Sequence, residues 1–461
     1  MELDTISAIA TAEGMGGIGI IRLSGDKAIA VASLTFKPAS GKRLDSYVTH
    51  RAVFGYIIDD GGEVVDEALA IIMRAPKSYT KEDVVELQCH GGVMPLRRTL
   101  SLTLANGARL AEPGEFTKRA FLNGRLDLSQ AQAVMDIVSA KTTDAMRAAT
   151  GHLMGNFSSL IHDMRHTVLG EIAHLEAAID FPEDEVDDVV VDEVEKKIVA
   201  VRTEIRKLLK TAGTGKILRE GLKTAIVGCP NVGKSSLLNA LLREERAIVT
   251  DIAGTTRDSI EEYAAIGGVP LRIIDTAGIR ETSDTVEKIG VDRAKKCLDS
   301  ADLVLAIFDG SRELAADDLK ILTLTANRRT IIIINKMDLA FKISIQAIEK
   351  AAKNPLGIIK ISTKTRAGIE KLEDIIKHEV YKGSSEPSGF GEILRDEREV
   401  EILRRADNHL QAALKTIGMG IGLDFISIDL RSAWEALGEL TGETVGEDII
   451  DEIFSKFCIG K

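Results

Sequence analysis

Residues Thr224–Leu241 read TAIVGCPNVGKSSLLNAL, and few folds are open to a chain that contains them. An apolar run, Thr224–Val227, enters Gly228-x-x-x-x-Gly233-Lys234-Ser235, and a helix-forming run follows. Glycines at those positions let backbone N–H groups close around phosphate oxygens, and the first turn of the helix adds its positive end. Asn231, Val232, Gly233, Lys234, Ser235 and Ser236 are the expected phosphate-binding residues. Lys234 supplies a cation to the β- and γ-phosphates, and Ser235 a hydroxyl for Mg2+. A strand that turns at once into a helix belongs in a parallel sheet with helices on its faces. Strand and helix patterns alternate accordingly over residues 220–382.

The same stretch of chain selects the base. IIDTAG places Asp275 at a strand end, where it can reach Mg2+ through water, followed by Thr276, Ala277 and Gly278, the last able to contact a γ-phosphate. IIIINKMD ends another strand in Asn335-Lys336-x-Asp338, and a carboxylate there accepts both N1–H and N2–H of guanine. KISTK supplies Ser362, Thr363 and Lys364 to a loop behind the base. These elements in this order resemble the translation-factor-like GTPases. The residue after the DTAG run is Ile279, where Ras-like proteins carry a water-orienting glutamine, so the water is oriented by another group. Asn231 and the segment VTDIAGTTRD (Val249–Asp258) leave two readings open. The asparagine, with carbonyls at Thr250 and Ile252, holds a monovalent cation against the phosphates, or it only stabilises the loop.

A chain of 461 residues has room for two to four domains, and 44% apolar with 28% charged residues is ordinary for packed cores. No apolar run approaches a membrane span, and MELDTISAIA has no basic region ahead of an apolar one, so neither an anchor nor a secretory signal is expected. Cys458-Ile459-Gly460-Lys461 has Gly460 where a prenylation box needs a second aliphatic residue, and Lys461 is unsuited to its last position. Cys89, Cys229, Cys297 and Cys458 show no metal-site or disulfide spacing, which fits reduced thiols in the cytoplasm. The net charge of −12 makes the chain a poor nucleic-acid binder by itself.

Around residues 220–382 the pattern differs. Residues 1–123 mix glycine with short β-type runs such as GIGIIRLS and DVVELQCHGG and read as an α+β domain. Residues 124–215 and 386–461 are helical. Leu153, Phe157, Leu160, Met164, Val168, Ile172, Leu175 and Ile179 mark one apolar helix face, ended by the acidic break Asp180–Asp188. Thr211–Gly221 reads as a glycine-rich link. The expected architecture is a multidomain α/β plus α protein, with a Ras-like phosphate-loop domain inserted between two halves of a helical domain.

GGIGIIRLSG, GEFTKRAFLNGRLDLSQA, AIDFPEDE, GTTRD, DTAGIRET and the terminal CIGK, in that order, resemble the signatures of the MnmE (TrmE) family of tRNA-modifying GTPases across all regions of the chain. The resemblance implies GTP contacts at Thr250, Asp251, Ile252, Ala253, Gly254, Thr255 and Thr256 as well. It implies Mg2+ on Ser235 and Thr256, and K+ held by Asn231, Thr250, Ile252 and Thr255 while G domains pair across a homodimer. Glu287 would orient the attacking water; from the residues alone it is a solvated acid at a helix start. The N-terminal domain would bind 5-formyl- or 5,10-methylene-tetrahydrofolate through Arg22, Glu86, Arg125 and Lys461. CIGK would fold back onto that domain, across the dimer, with Ile459 packing and Gly460 letting the backbone approach. The implied partner is an MnmG-like protein carrying FAD and using NADH, in a heterotetramer that modifies C5 of wobble uridine in tRNA.

Other features read structurally. Gly14-x-Gly16-x-x-Gly19 matches a dinucleotide fingerprint but precedes a β-type run, so a hairpin turn is expected. Cys458 reads as a packed thiol, His90 as a loop residue, Trp434 as core, and the DFPEDE acids as a solvated helix end. Two rival functions remain: a ribosome-assembly or signalling switch GTPase without one-carbon chemistry, and a folate enzyme acting alone.

Overall fold

The computed structural model describes residues 4–12, 14–180, 187–244, 262–274, 298–381, 392–420 and 422–461. The chain forms two compact units, Met1–Met135 with Leu437–Lys461, and Asp136–Ala436. In the first, β1 (Ile6–Ile9), β2 (Ile18–Ser24), β3 (Phe36–Pro38), β4 (Arg51–Ile58), β5 (Val64–Met73), β6 (Val84–His90) and β7 (Arg109–Leu110) make one sheet in the order β3-β4-β5-β6-β2-β1-β7. All pairings are antiparallel except β1 with β7. Alternation along the strands sorts their side chains. Ile21 and Leu23 of β2 and Val85 and Leu87 of β6 join a core with α1 (Ala28–Thr35) and α2 (Val93–Ala105). Arg22 and Glu86 therefore point to the opposite face, as cross-strand partners. The run Gly14–Gly19 leads into a strand, and β1 pairs with β2 as a hairpin, as its sequence context required. The helix α3 (Glu115–Leu122) follows β7.

Next come α4 (Leu128–Ser139), α5 (Thr143–Leu153), α6 (Asn156–Asp180), α7 (Asp187–Lys210) and α8 (Ala212–Glu220). Phe157, Met164, Val168, Ile172 and Leu175 line the buried face of α6, whereas Leu160 and Ile179 are only half-buried. Leu153 belongs to the separate helix α5. The glycine-rich link expected over Thr211–Gly221 is largely the helix α8. Gly215 serves close packing there: a Cβ would lie 1.7 Å from the Leu394 carbonyl oxygen. Thr211 Oγ1 accepts from the Leu394 N–H at 2.9 Å, and Thr214 Oγ1 donates to Val380 O at 2.9 Å, so both strands of the connection are tied together.

The α/β layer contains β8 (Leu222–Val227), α9 (Lys234–Glu244), β9 (Glu262–Ile266), β10 (Val269–Ile273), β11 (Leu303–Asp309), α10 (Ala316–Thr325), β12 (Thr330–Asn335), α11 (Ile345–Ala351), β13 (Gly357–Lys360) and α12 (Ile369–Val380). Its sheet order is β13-β12-β11-β8-β10-β9, parallel except at the β9 edge. β11 and β12 are buried throughout, which explains their unbroken apolar sequences. After this layer α13 (Glu397–Gly418) packs against α7, and α14 (Leu423–Thr441) leads to α15 (Glu447–Ser455), which rests on α3 in the first unit. Trp434 is half-buried rather than core, with the Arg165 guanidinium 4.3 Å from its ring centroid.

Candidate functional site

The first site is built at the C-terminal ends of β8, β11, β12 and β13. After β8 the chain turns through Asn231, held at φ 63°, and enters α9 at Lys234. Val232 is buried, Ser235 half-buried and Ser236 exposed. The Lys234 ammonium curls over this turn and donates to the carbonyls of Gly228 at 2.8 Å and Cys229 at 2.9 Å. Burial pulls its pKa below the ordinary lysine value. A partly desolvated cation beside a glycine turn and a helix N-terminus fits a phosphate group, whose charge would offset that cost.

Asn335, at the end of β12, ties this turn to the loop after β13: its Nδ2 donates to Val232 O at 2.8 Å, and its Oδ1 accepts from the Thr363 N–H at 3.1 Å. A Cβ at Gly233 would fall 2.2 Å from that Nδ2. Lys336 follows at φ 65° and donates to Asp309 Oδ2 at 2.6 Å. Ser362 Oγ donates to Asp338 Oδ1 at 2.6 Å and holds this carboxyl below the usual carboxylate range. An exposed, ionised carboxylate fixed on one oxygen suits an acceptor for the two N–H groups of guanine. Lys364 stands exposed beside it and adds to the lowering. Thus Asn335, Lys336, Asp338, Ser362 and Thr363 converge with the turn before α9. Asp309 joins them from the end of β11, a position that no sequence motif marked. Thr250, Asp251, Ile252, Ala253, Gly254, Thr255, Thr256, Asp275, Thr276, Ala277, Gly278 and Glu287 lie outside the described residues.

The second site lies on the face of the first unit's sheet opposite α1 and α2. Arg22 Nε donates to Glu86 Oε1 at 2.9 Å, while its Nη1 reaches the Gly460 carbonyl at 3.1 Å. Gly460 has φ 92°, and a Cβ there would meet Ile9 O at 2.2 Å, so only glycine fits this approach without a shift. The Gly114 N–H donates to Cys458 O at 3.3 Å, which fixes the tail upstream, within the same chain. Ile459 does not pack as expected; it is 55% exposed, and Phe457 and Phe454 fill the apolar contact instead. Gly460 takes the groove with its backbone, and the adjoining Ile459 side chain is left outside. Burial depresses the Lys461 ammonium, and the nearby Arg22 guanidinium adds to that. Tyr79, absent from the sequence reading, links the cations: Arg125 lies 4.7 Å and Arg22 5.4 Å from its ring centroid. Arg125 also donates to Tyr79 O at 3.0 Å. Two guanidiniums around an aromatic ring, with a half-buried ammonium near one of them, fit a flat ligand with a carboxylate tail. Cys89, Cys229 and Cys458 are free thiols.

Known proteins match the chain over its whole length. The family model for the GTP-binding protein TrmE N-terminus covers residues 5–125, and that for the MnmE helical domain covers residues 128–458. The tRNA modification GTPase MnmE of Alkaliphilus oremlandii is 51% identical over 459 residues, 99% of each chain. Its namesake from Geobacillus thermodenitrificans is 49% identical over 463 residues, all of both chains. Among solved structures, the G domain of the T. maritima FeoB iron transporter aligns with 34% of this chain and 98% of its own, at 27% identity and a TM-score of 0.25. Matched end to end by such relatives, and on both sides of its phosphate loop by their family models, the chain belongs to the MnmE family.

Proposed function

We propose that this chain is a K+-stimulated GTPase of the cytoplasm that acts as a homodimer in tRNA modification. With an MnmG-like partner supplying FAD and NADH chemistry, it modifies C5 of wobble uridine using a tetrahydrofolate one-carbon unit. The names of its relatives and the convergence of Lys234, Asn335 and Asp338 support the GTPase part. The single observation that carries the one-carbon part is Arg22 bridging Glu86 and the docked Gly460.

In this reading Lys234 exchanges its two carbonyl acceptors for phosphate oxygens, and the turn at Asn231–Gly233 wraps the same group. Asp338 accepts from the guanine edge. Ser235 would hold Mg2+ and Asn231 would hold K+, cations that offset charge developing on the phosphates. Glu287 would orient water, and Thr250, Ile252, Thr255 and Thr256 would complete the cation shells. On the sheet of the first unit, Glu86 accepts from a pterin N–H edge, while Arg22, Arg125 and Lys461 meet the anionic tail of the folate. No helix among the described residues is long and apolar enough to cross a membrane.

Calorimetric titration of 5-formyl-tetrahydrofolate tests the one-carbon part, using the full chain and a form lacking Lys461. Tight binding that weakens at least tenfold without Lys461 is expected. Equal binding by both forms removes the tail from the site. Undiminished GTP hydrolysis with no folate binding would make the protein a switch GTPase.

A further inference from the structure

Guanine recognition depends on where the Asp338 carboxylate stands, and Asp338 follows Lys336 by one intervening residue in a tight turn. Lys336 adopts φ 65°, a left-handed conformation that an L-residue resists. Its ammonium crosses from the end of β12 to the end of β11 and donates to Asp309 Oδ2 at 2.6 Å. The two strands are in register there, Asp309 opposite Asn335. The Asp309 carboxylate is itself held: Ser311 donates to Oδ1 through both its N–H (2.9 Å) and its hydroxyl (2.6 Å). The Gly310 N–H donates to Asn335 O at 2.8 Å and closes the end of β11 onto the same turn. The Asp309 side chain is 10% exposed and that of Lys336 31%, so water screens this pair less than a surface pair.

Each recognition residue thus has its own anchor. Asn335 is tied to Val232 and Thr363, and Asp338 to Ser362. We propose that Asp309 is a positioning residue for guanine: by holding the Lys336 ammonium it fixes the left-handed turn that carries Asp338. The proposal rests on the guanine-nucleotide reading and extends it to a residue 26 positions before the recognition motif, in FDGSRE. Asp309 touches no base; it acts through Lys336. A merely structural aspartate would support the strand end and affect every nucleotide alike, whereas a positioning residue affects discrimination at the guanine edge.

The test is equilibrium binding of GDP and of IDP, which lacks the exocyclic amine, to the full chain and its variants. Asp309→Asn keeps shape and the bond from Ser311 while removing the charge. It is expected to weaken GDP by on the order of tenfold and to narrow the preference for GDP over IDP. Asp309→Glu is expected to restore part of both. Lys336→Met added to Asp309→Asn is expected to cost little more, since the two act as one pair. Equal losses for GDP and IDP, or additive effects in the double variant, would overturn the positioning role. Should Asp309→Asn melt early, Ser311→Ala gives the same reading more mildly: narrowed preference supports the role, and an unchanged preference rejects it. Wild-type chain that binds neither nucleotide would reject the nucleotide reading, and Asp309 with it. Wild-type discrimination left intact in Asp309→Asn would reject the Asp309 role alone.

Discussion

His90 closes β6 with its ring beside a carboxylate: Nδ1 lies 2.6 Å from Asp66 Oδ1, and its N–H donates to Asp66 Oδ2 at 2.9 Å. The hydrogen bond with Asp66, and then its charge, raise the pKa of this exposed imidazole above the ordinary value. What the pair adds to the folded state is therefore fully present below the unfolded histidine pKa. It is lost as pH rises through the raised folded value. NMR titration of His90 should give a midpoint above that of a free histidine, and Asp66→Asn should lower it towards that of a free histidine. An unshifted midpoint in the wild type would dismiss the pair. The sequence reading placed His90 in a loop, whereas it is the last residue of β6, and its partner was invisible because Asp66 sits 24 positions away on a neighbouring strand. Tyr79 and Asp309 were missed for the same reason. Each works through contacts that no spacing encodes, whereas Asn335 and Asp338 declare themselves by lying together in one short motif.

α8 shows the limit of composition at the next level. Its glycines suggested a link between domains, yet the segment is a helix in which Gly215 admits the Leu394 backbone. Glycine in that sequence records a close approach, which looks the same as freedom when only one of the two contacting segments is in view. Gly215→Ala should cost about 1–3 kcal/mol through the displaced backbone of Leu394. Urea unfolding with GDP absent would measure this, and a loss under about 0.5 kcal/mol would mean that the contact yields easily. The α/β layer was far more legible. Its parallel strands are buried on both faces, so their apolar runs, and the motifs at their C-terminal ends, announce both the sheet and the edge where a ligand binds. The amphipathic helices were legible for the same reason, apart from their ends.

Met1–Met135 with Leu437–Lys461, and Asp136–Ala436, are each a compact unit, and more than one unfolding transition is expected. Calorimetric scans should resolve more than one. GDP at about a hundred times its Kd should stabilise the Asp136–Ala436 unit by about 2.7 kcal/mol, leaving the other transition in place. 5-Formyl-tetrahydrofolate should do the reverse. Transitions that move together under either ligand would contradict this independence. The composition of the first unit, beginning and end of one chain, also sets a clock. Arg22 and its acceptor Gly460 are 438 positions apart. At ordinary rates of translation, Arg22 leaves the ribosome on the order of half a minute or more before Gly460 is made. In that interval the sheet of the first unit can form, but the acceptor that Arg22 meets in the folded site does not yet exist. The segment around Gly460 thus completes, late in synthesis, a site whose other residues emerge early.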